Sequence, residues 1–299
     1  MATLCLGEAL VDLVCESPVD DLSQATSFVP HFGGAMANVA VTAARAGAAV
    51  QLAGGAGDDA WGAWLRGRLE AEGVGLEGFR LVTGAATAVA FVTVDADAQP
   101  SFLIHGDTIG VGVEAAGPHL PELVEQADAL VITSNTLVGE TERALTMAAR
   151  ERALALGVPV IVDPNFRLHR WPSTAQAVEA TRACLDGAFL VKLNEEEGRL
   201  LTGEIHAAGV AGSLVSSRVQ HAVVTRGAEG AVLRGPGMRF EVPGVPAATV
   251  DTTGAGDVLL GTLVAELAKT RFYPASLAAG LPIAVAAAAR ATERWGAVG

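Results

Sequence analysis

The feature that most constrains this chain is a set of short apolar runs that lack in/out alternation. Ala129–Thr133 (ALVIT), Val158–Asp163 (VPVIVD), Phe189–Leu193 (FLVKL) and Ala222–Thr225 (AVVT) are rich in β-branched residues and apolar at neighbouring positions. A strand apolar on both faces needs cover on both faces, and a parallel sheet between two layers of helices supplies it. The segments between these runs, such as Glu140–Leu156 and Ser173–Leu185, have helical length and spacing. The alternation predicts an α/β fold with a doubly wound, mostly parallel sheet. One region breaks the rhythm: Ala88–Asp95 and Ser101–His105 are strands joined by a polar turn around Asp95–Pro100, with no room for a helix. They predict a β-hairpin, and with the segment near Leu13–Phe32 a small accessory sheet placed as a lid. No linker, repeat or low-complexity tract interrupts the chain, so residues 1–299 are expected to form one domain, with lid strands from about 13–32 and 88–106.

Composition narrows the function. A chain of 299 residues that is 51% hydrophobic can bury roughly three quarters of its unfolded surface without disulfide staples. Cys5, Cys15 and Cys184 are odd in number, far apart and without zinc-ligand spacing, so they read as buried thiols of a reducing compartment. The formal net charge of -13 and the lack of any basic run exclude nucleic acid as a partner. The first basic residue is Arg45, so no basic region opens a secretory signal and a cytoplasmic location is expected. The longest apolar run, Leu281–Ala289, contains Pro282 and ends at Arg290. It is too short to span a bilayer and is expected to be a buried helix, leaving no membrane partner.

The stretch Asp251-Thr252-Thr253-Gly254-Ala255-Gly256-Asp257 precedes an apolar helical pattern from Val258 to Leu267. Free N–H groups and the positive dipole end at a helix start favour an anion, and side chains no larger than methyl let a phosphate approach closely. Gly254, Ala255 and Gly256 are thus candidates for an anion hole, with Asp257 in the first turn as a general base beside a transferring phosphoryl group. A capped glycine-rich loop is the plainer alternative. Gly33-Gly34-Ala35-Met36-Ala37-Asn38 also precedes a helix, Val39–Ala46, ending at Gly47; close backbone approach plus one amide suits a polyhydroxylated ligand. Other nucleotide signatures fail: neither Lys192 nor Lys269 fits a P-loop, and Gly254-Ala255-Gly256 is not followed by the third glycine of a dinucleotide fingerprint.

These motifs, GGAMANVAVTAARAG (33–47) running on to GGAGDDAWGAWL (54–65) and DTTGAGDVLLG (251–261), make the chain resemble the ribokinase-like, or PfkB, family of carbohydrate and nucleoside kinases over essentially its whole length. GEALVDL (7–13), DPNFR (163–167), KLNEEE (192–197) and TRGAEG (225–230) fall in the family's order. The resemblance implies a three-layer ribokinase-like fold and ATP-dependent phosphorylation of a sugar hydroxyl, with Asp257 as base and the amides of Gly254, Ala255 and Gly256 holding the developing charge. It places Asp12, Gly33, Gly34, Asn38 and Arg167 at the substrate, and Lys192, Asn194, Thr225, Gly227, Gly230 and Gly256 at ATP. Glu197 would organise Mg2+ through water, and Asp251 and Thr253 correspond to a segment that takes a monovalent cation, K+, in parts of the family. The fructokinase and 2-keto-3-deoxygluconate kinase branches are the nearest in motif. There the second lid strand commonly ends in an aromatic–Arg pair; here His105 precedes Gly106. His105 can donate to a hydroxyl but cannot imitate an arginine fork, which disfavours a sugar acid. Fructose heads the acceptors, with 2-keto-3-deoxygluconate, ribose and nucleosides as alternatives. Nucleosides rank lower because only Phe102 and Phe32 are expected near the lid to stack a base. A catalytically idle sugar-binding module is the alternative of another class. A homodimer through the lid sheet is expected, since a small isolated sheet leaves an apolar face exposed.

Overall fold

The computed structural model describes residues 1–106 and 108–298. Nine strands form the main sheet: β1 (Ala2–Leu6), β4 (Val50–Gly57), β5 (Phe79–Val82), β8 (Ala127–Thr133), β9 (Val160–Asp163), β10 (Leu190–Asn194), β11 (His221–Thr225), β12 (Ala231–Gly235) and β13 (Met238–Val242). Their spatial order is β13-β12-β11-β10-β9-β8-β1-β4-β5. All pairings from β11 to β5 are parallel, and β12 and β13 add an antiparallel edge. The helices are α1 (Ala35–Arg45), α2 (Ala60–Ala71), α3 (Ile109–Ala116), α4 (Leu120–Glu125), α5 (Glu140–Leu156), α6 (Thr174–Leu185), α7 (Glu195–Thr202), α8 (Ala207–Ser216), α9 (Ala255–Ala268) and α10 (Ser276–Ala291). Two buried clusters flank the sheet. One holds Val131, Ile161 and Val223 with α1, α9 and α10; the other holds Leu130, Ile132, Val162 and Val224 with α5, α6 and α8. Alternate residues of a single strand thus feed opposite cores, which is why those strands read as apolar without alternation.

A second sheet carries β2 (Leu10–Val14), β3 (Val29–Gly33), β6 (Val89–Val94) and β7 (Pro100–His105) in the order β3-β2-β6-β7. The expected hairpin is β6–β7, antiparallel throughout. Its turn is held by Asp95 Oδ1, which accepts the N–H groups of Asp97 and Gln99 at 2.9 Å each.

Several boundaries differ from expectation for physical reasons. The first lid strand begins at Leu10 rather than near Leu13, so Asp12 sits within the lid. Helix α1 starts at Ala35 and α9 at Ala255, so part of each glycine-rich loop is already first-turn helix. Asn38 therefore lies inside α1 rather than at its start. Phe32 is not available to a ligand: it is buried and tilts against Trp64 at 6.0 Å between centroids. The Leu281–Ala289 run belongs to α10, yet Pro282 and Ile283 face outward, so this helix is buried on one side only. The three cysteines are free and buried, and among the described residues no helix is long and apolar enough to cross a membrane.

Candidate active site

Asp257 occupies the first turn of α9, behind Gly254, whose φ of +69° caps the helix in the left-handed region. Only glycine adopts that conformation without strain, and a Cβ there would lie 2.2 Å from the Cβ of Ala297. At Gly256 a Cβ would lie 2.7 Å from Lys192 Nζ. The need for small residues here thus arises from the C-terminal tail and a buried lysine, beyond the close approach of an anion inferred from sequence. Lys192, from β10, donates to Asp163 Oδ2 at 2.8 Å, and both are buried. Burial alone would pull the lysine down, but the carboxyls of Asp163, Glu197 and Asp257 outweigh it and hold Lys192 above its ordinary range.

Burial acts on Asp257 as well. Desolvation pushes Asp257 up to about 7, against the opposing pull of Lys192 and of the hydrogen bond from Asn38. That bond runs from Asn38 Nδ2 to Asp257 Oδ2 at 2.9 Å. The amide expected at the sugar is therefore also a fixture of the carboxyl, reached from the fourth residue of α1. Asp12 is likewise raised well above the usual carboxylate range, chiefly by burial and then by Asp257, with Arg167 opposing. Gly33 makes room for it: a Cβ there would stand 2.3 Å from Asp12 Oδ1.

Two cavities meet at Asp257. A hollow of about 270 Å³ is lined by Asp163, Asn165, Arg167, Lys192, Asn194, Glu197, Gly254 and Gly256. A second, of about 80 Å³, lies under the lid between Glu8, Asp12, Gly34, Asn38, Phe102, Ile104, Asn135 and Arg170. Arg167, Gly254 and Asp257 line both. A carboxyl poised near neutrality between a helix-start anion cradle and a polar, lid-covered hollow can deprotonate a hydroxyl on one side for attack on a phosphorus on the other. Larger hollows of about 450 and 460 Å³ lie at Met1, Gln51 and Gln126 and at Thr42, Thr262 and Arg290. Neither sets a base beside a phosphate cradle.

The remaining expected residues fall in different places. Asn194 caps α7, accepting the Glu197 N–H, while Glu197 accepts the N–H groups of Asn194 and Phe166, one on each oxygen, at 2.9 Å. Burial first, then Asp163, raises Glu197. Thr225 ends β11 beside Asn194, and Gly227 and Gly230 shape the turn that follows. This loop stands one strand along the sheet and lines neither of the two cavities. Asp251 is fully buried, with its oxygens accepting from the backbone of Thr253 and Gly296 at 2.8 and 2.9 Å; the Thr253 hydroxyl is buried without a protein partner. His105 is a correction. Phe102 and Ile104 line the sub-lid cavity, so strand alternation turns His105 to the opposite face, where its ring meets Phe91 edge-on at 5.8 Å. Sequence reasoning missed Asp163, Glu8, Asn135 and Arg170. For Asp163 a signal was available, an acid closing a core strand beside a strand that carries a lysine.

Residues 2–298 match the pfkB family carbohydrate kinase profile. The chain belongs to the pfkB family of carbohydrate kinases, and its fold is the ribokinase-like one. Among its relatives is a probable fructokinase-5 of Arabidopsis thaliana, 33% identical over 264 residues, 88% of this chain and 82% of that protein. The fructokinase of Xylella fastidiosa, solved with bound ATP, superposes with a TM-score of 0.82 at 29% identity, covering 99% of this chain and 94% of that one. The Vibrio cholerae fructokinase bound to fructose, ADP and calcium superposes at 0.81 with 26% identity, covering 100% and 95%.

Proposed function

We propose that this carbohydrate kinase transfers the γ-phosphate of ATP to a hydroxyl of fructose. The observation that carries the reading is Asp257, buried, raised to about 7 and standing where the anion cradle meets the sub-lid hollow. In this reading the sugar lies among Asp12, Gly33, Gly34 and Asn38, and the ATP phosphates reach the start of α9 past Lys192 and Arg167. Thr225, Gly227 and Gly230 serve the rest of the nucleotide. Asp257 takes the hydroxyl proton as the oxygen–phosphorus bond forms and the bond to the ADP oxygen breaks. Gly254, Ala255 and Gly256 compensate charge on the transferring group from a preorganised position.

The residues fit Mg2+ bound through water rather than caged by protein. Among the described residues no cluster of three acids, histidines or cysteines could hold a metal, and both Glu197 oxygens already serve backbone donors while keeping lone pairs for water. Such an ion would neutralise phosphate charge. Asp251 and the orphan Thr253 hydroxyl are the groups this reading offers to K+. A homodimer through the lid and a cytoplasmic location complete it; Leu103, exposed beside Phe91 on the outer lid face, supports the first.

ADP release measured with fructose, 2-keto-3-deoxygluconate, ribose and adenosine tests the reading. Fructose is expected to give the highest kcat/KM. Saturable sugar binding without turnover of any acceptor would instead identify a sugar-binding module. Because Asp257 acts ionised, kcat/KM for the sugar should rise about tenfold per pH unit below 7 and level off above it; a flat profile from pH 5.5 to 8.5 would remove Asp257 from that role.

A further inference from the structure

We infer that Glu8, held by Asn135, is a further specificity-determining residue of the acceptor pocket and reads a sugar hydroxyl other than the one phosphorylated; this rests on the sugar-kinase reading above. The chain builds outward from β1 through β4 to β5 on one side, and from β8 through β9 and β10 on the other. The direction of build therefore switches between β1 and β8, and beyond the carboxyl ends of such strands a ligand crevice opens. Glu8 follows the end of β1 and Asn135 the end of β8, so the two flank that crevice.

Both side chains are buried, Glu8 4% and Asn135 2% exposed. Asn135 Nδ2 donates to Glu8 Oε1 at 2.9 Å. One oxygen of each remains: Glu8 Oε2 and Asn135 Oδ1 are buried and no protein donor reaches them, and the same is true of Asn38 Oδ1. All three residues line the sub-lid cavity. Tethering the turn after β8 does not require Glu8. The Asn135 N–H already donates to Thr133 Oγ1 at 2.8 Å, and its carbonyl accepts Arg170 Nη1 at 2.8 Å. Buried acceptors without donors are unfavourable, and three around one cavity make a wall suited to a ligand that brings donors. Arg167 lines the same cavity and carries guanidinium donors, so the ligand's polar groups must both donate and accept. Hydroxyls do both, whereas ionised carboxylate oxygens only accept. The ligand class is a polyhydroxylated sugar that presents a hydroxyl, not a carboxylate, to Glu8.

Glu8→Gln keeps the shape and the acceptor for Asn135 while turning the cavity-facing oxygen into a donor. The sugar KM, and the calorimetric Kd for sugar without nucleotide, should rise about 10- to 100-fold, with the KM for ATP unchanged and kcat within about threefold. A series of monodeoxy fructoses gives a readout that a purely structural role would not move. Wild type should lose about 100-fold or more in kcat/KM at one hydroxyl besides the phosphorylated one, and Glu8→Gln should lose less than about threefold there. Unchanged sugar affinity in Glu8→Gln, or an equal penalty for every deoxy sugar in variant and wild type, overturns the inference. If the variant does not fold, the wild-type series decides alone: no second hydroxyl costing more than about threefold overturns it. Wild type phosphorylating no sugar overturns the kinase reading and this inference together. Fructose turnover with unaltered specificity in Glu8→Gln overturns only this inference.

Discussion

The strands of the main sheet and those of the lid obey different rules. In β8 every residue but Asp128 is buried, whereas in β7 only Pro100 and Ile104 are half-covered and the other four are exposed. The main sheet is sandwiched between helices; the lid has one face over the site and the other turned away from it. The difference separates two tasks. In the proposed reading the groups at the phosphate are Asp257 of α9 and Lys192 of β10; Lys192 is held by Asp163 of β9, and all three are buried. The cavity proposed for the acceptor is lined partly from the core, by Asn38, and partly from the lid, by Asp12 and Phe102. A lid of this kind can change which sugar is accepted while leaving the phosphate chemistry on rigid elements.

The comparison breaks most severely if the core does not carry the chemistry. D257N should lower kcat by about 10²- to 10⁴-fold, with ATP affinity retained. It should also melt higher. The Asp257 carboxyl has a folded value of about 7 against an ordinary 3.8, so the folded state prefers the protonated form. That contribution is fully present below about pH 4 and is lost as pH rises through 7. At pH 8 the empty fold therefore carries a desolvated charge, and replacing it should recover about 1–4 kcal/mol, with little change at pH 4. Turnover assays and paired thermal melts check both. A D257N protein with wild-type kcat would move the base elsewhere.

Two neighbouring glycines sharpen the comparison at a smaller scale. Gly254→Val meets the Ala297 backbone at 2.7 Å in a left-handed conformation, so it should cost about 2–4 kcal/mol of stability, seen in a urea melt. Gly256→Ala meets only the flexible end of Lys192. Shifting that ammonium strains its buried pair with Asp163, so the substitution should cost about 1 kcal/mol, less than Gly254→Val, and reduce kcat/KM for ATP about tenfold by displacing the cation. Equal destabilisation by both would mean that Gly256 is a packing glycine as well.

What the sequence disclosed follows the same division. β8, β9, β10 and β11 were legible because burial on both faces leaves an unbroken apolar run, and α5 because its length and periodicity stand alone. β4 was not, since its LAGGAG stretch looks like a loop until the close approach of its neighbours is seen. The cradle at Gly254–Asp257 was visible as a motif, whereas the Asn38–Asp257 bond joins residues 219 positions apart and no local pattern encodes it. Glu8 and Asn135 are 127 apart and meet only because β1 and β8 are neighbours. His105 was misplaced for a local reason: proximity to the lid was legible, but which way alternate residues face depends on where Phe102 and Ile104 point.

The smallest predicted effect therefore tests the lid itself. Phe102 lines the cavity and is 45% exposed, so Phe102→Ala should cost the fold little but remove apolar contact from the acceptor, raising the sugar KM about fivefold at unchanged kcat. His105→Ala, one turn of the pleat away on the other face against Phe91, should leave the sugar KM within about twofold. Steady-state kinetics with fructose on the two variants compares the faces directly. A His105→Ala effect as large as that of Phe102→Ala would mean that the outer face of the lid also reaches an active site. The lid packed against a second copy could do that, in which case the KM of His105→Ala should depend on protein concentration.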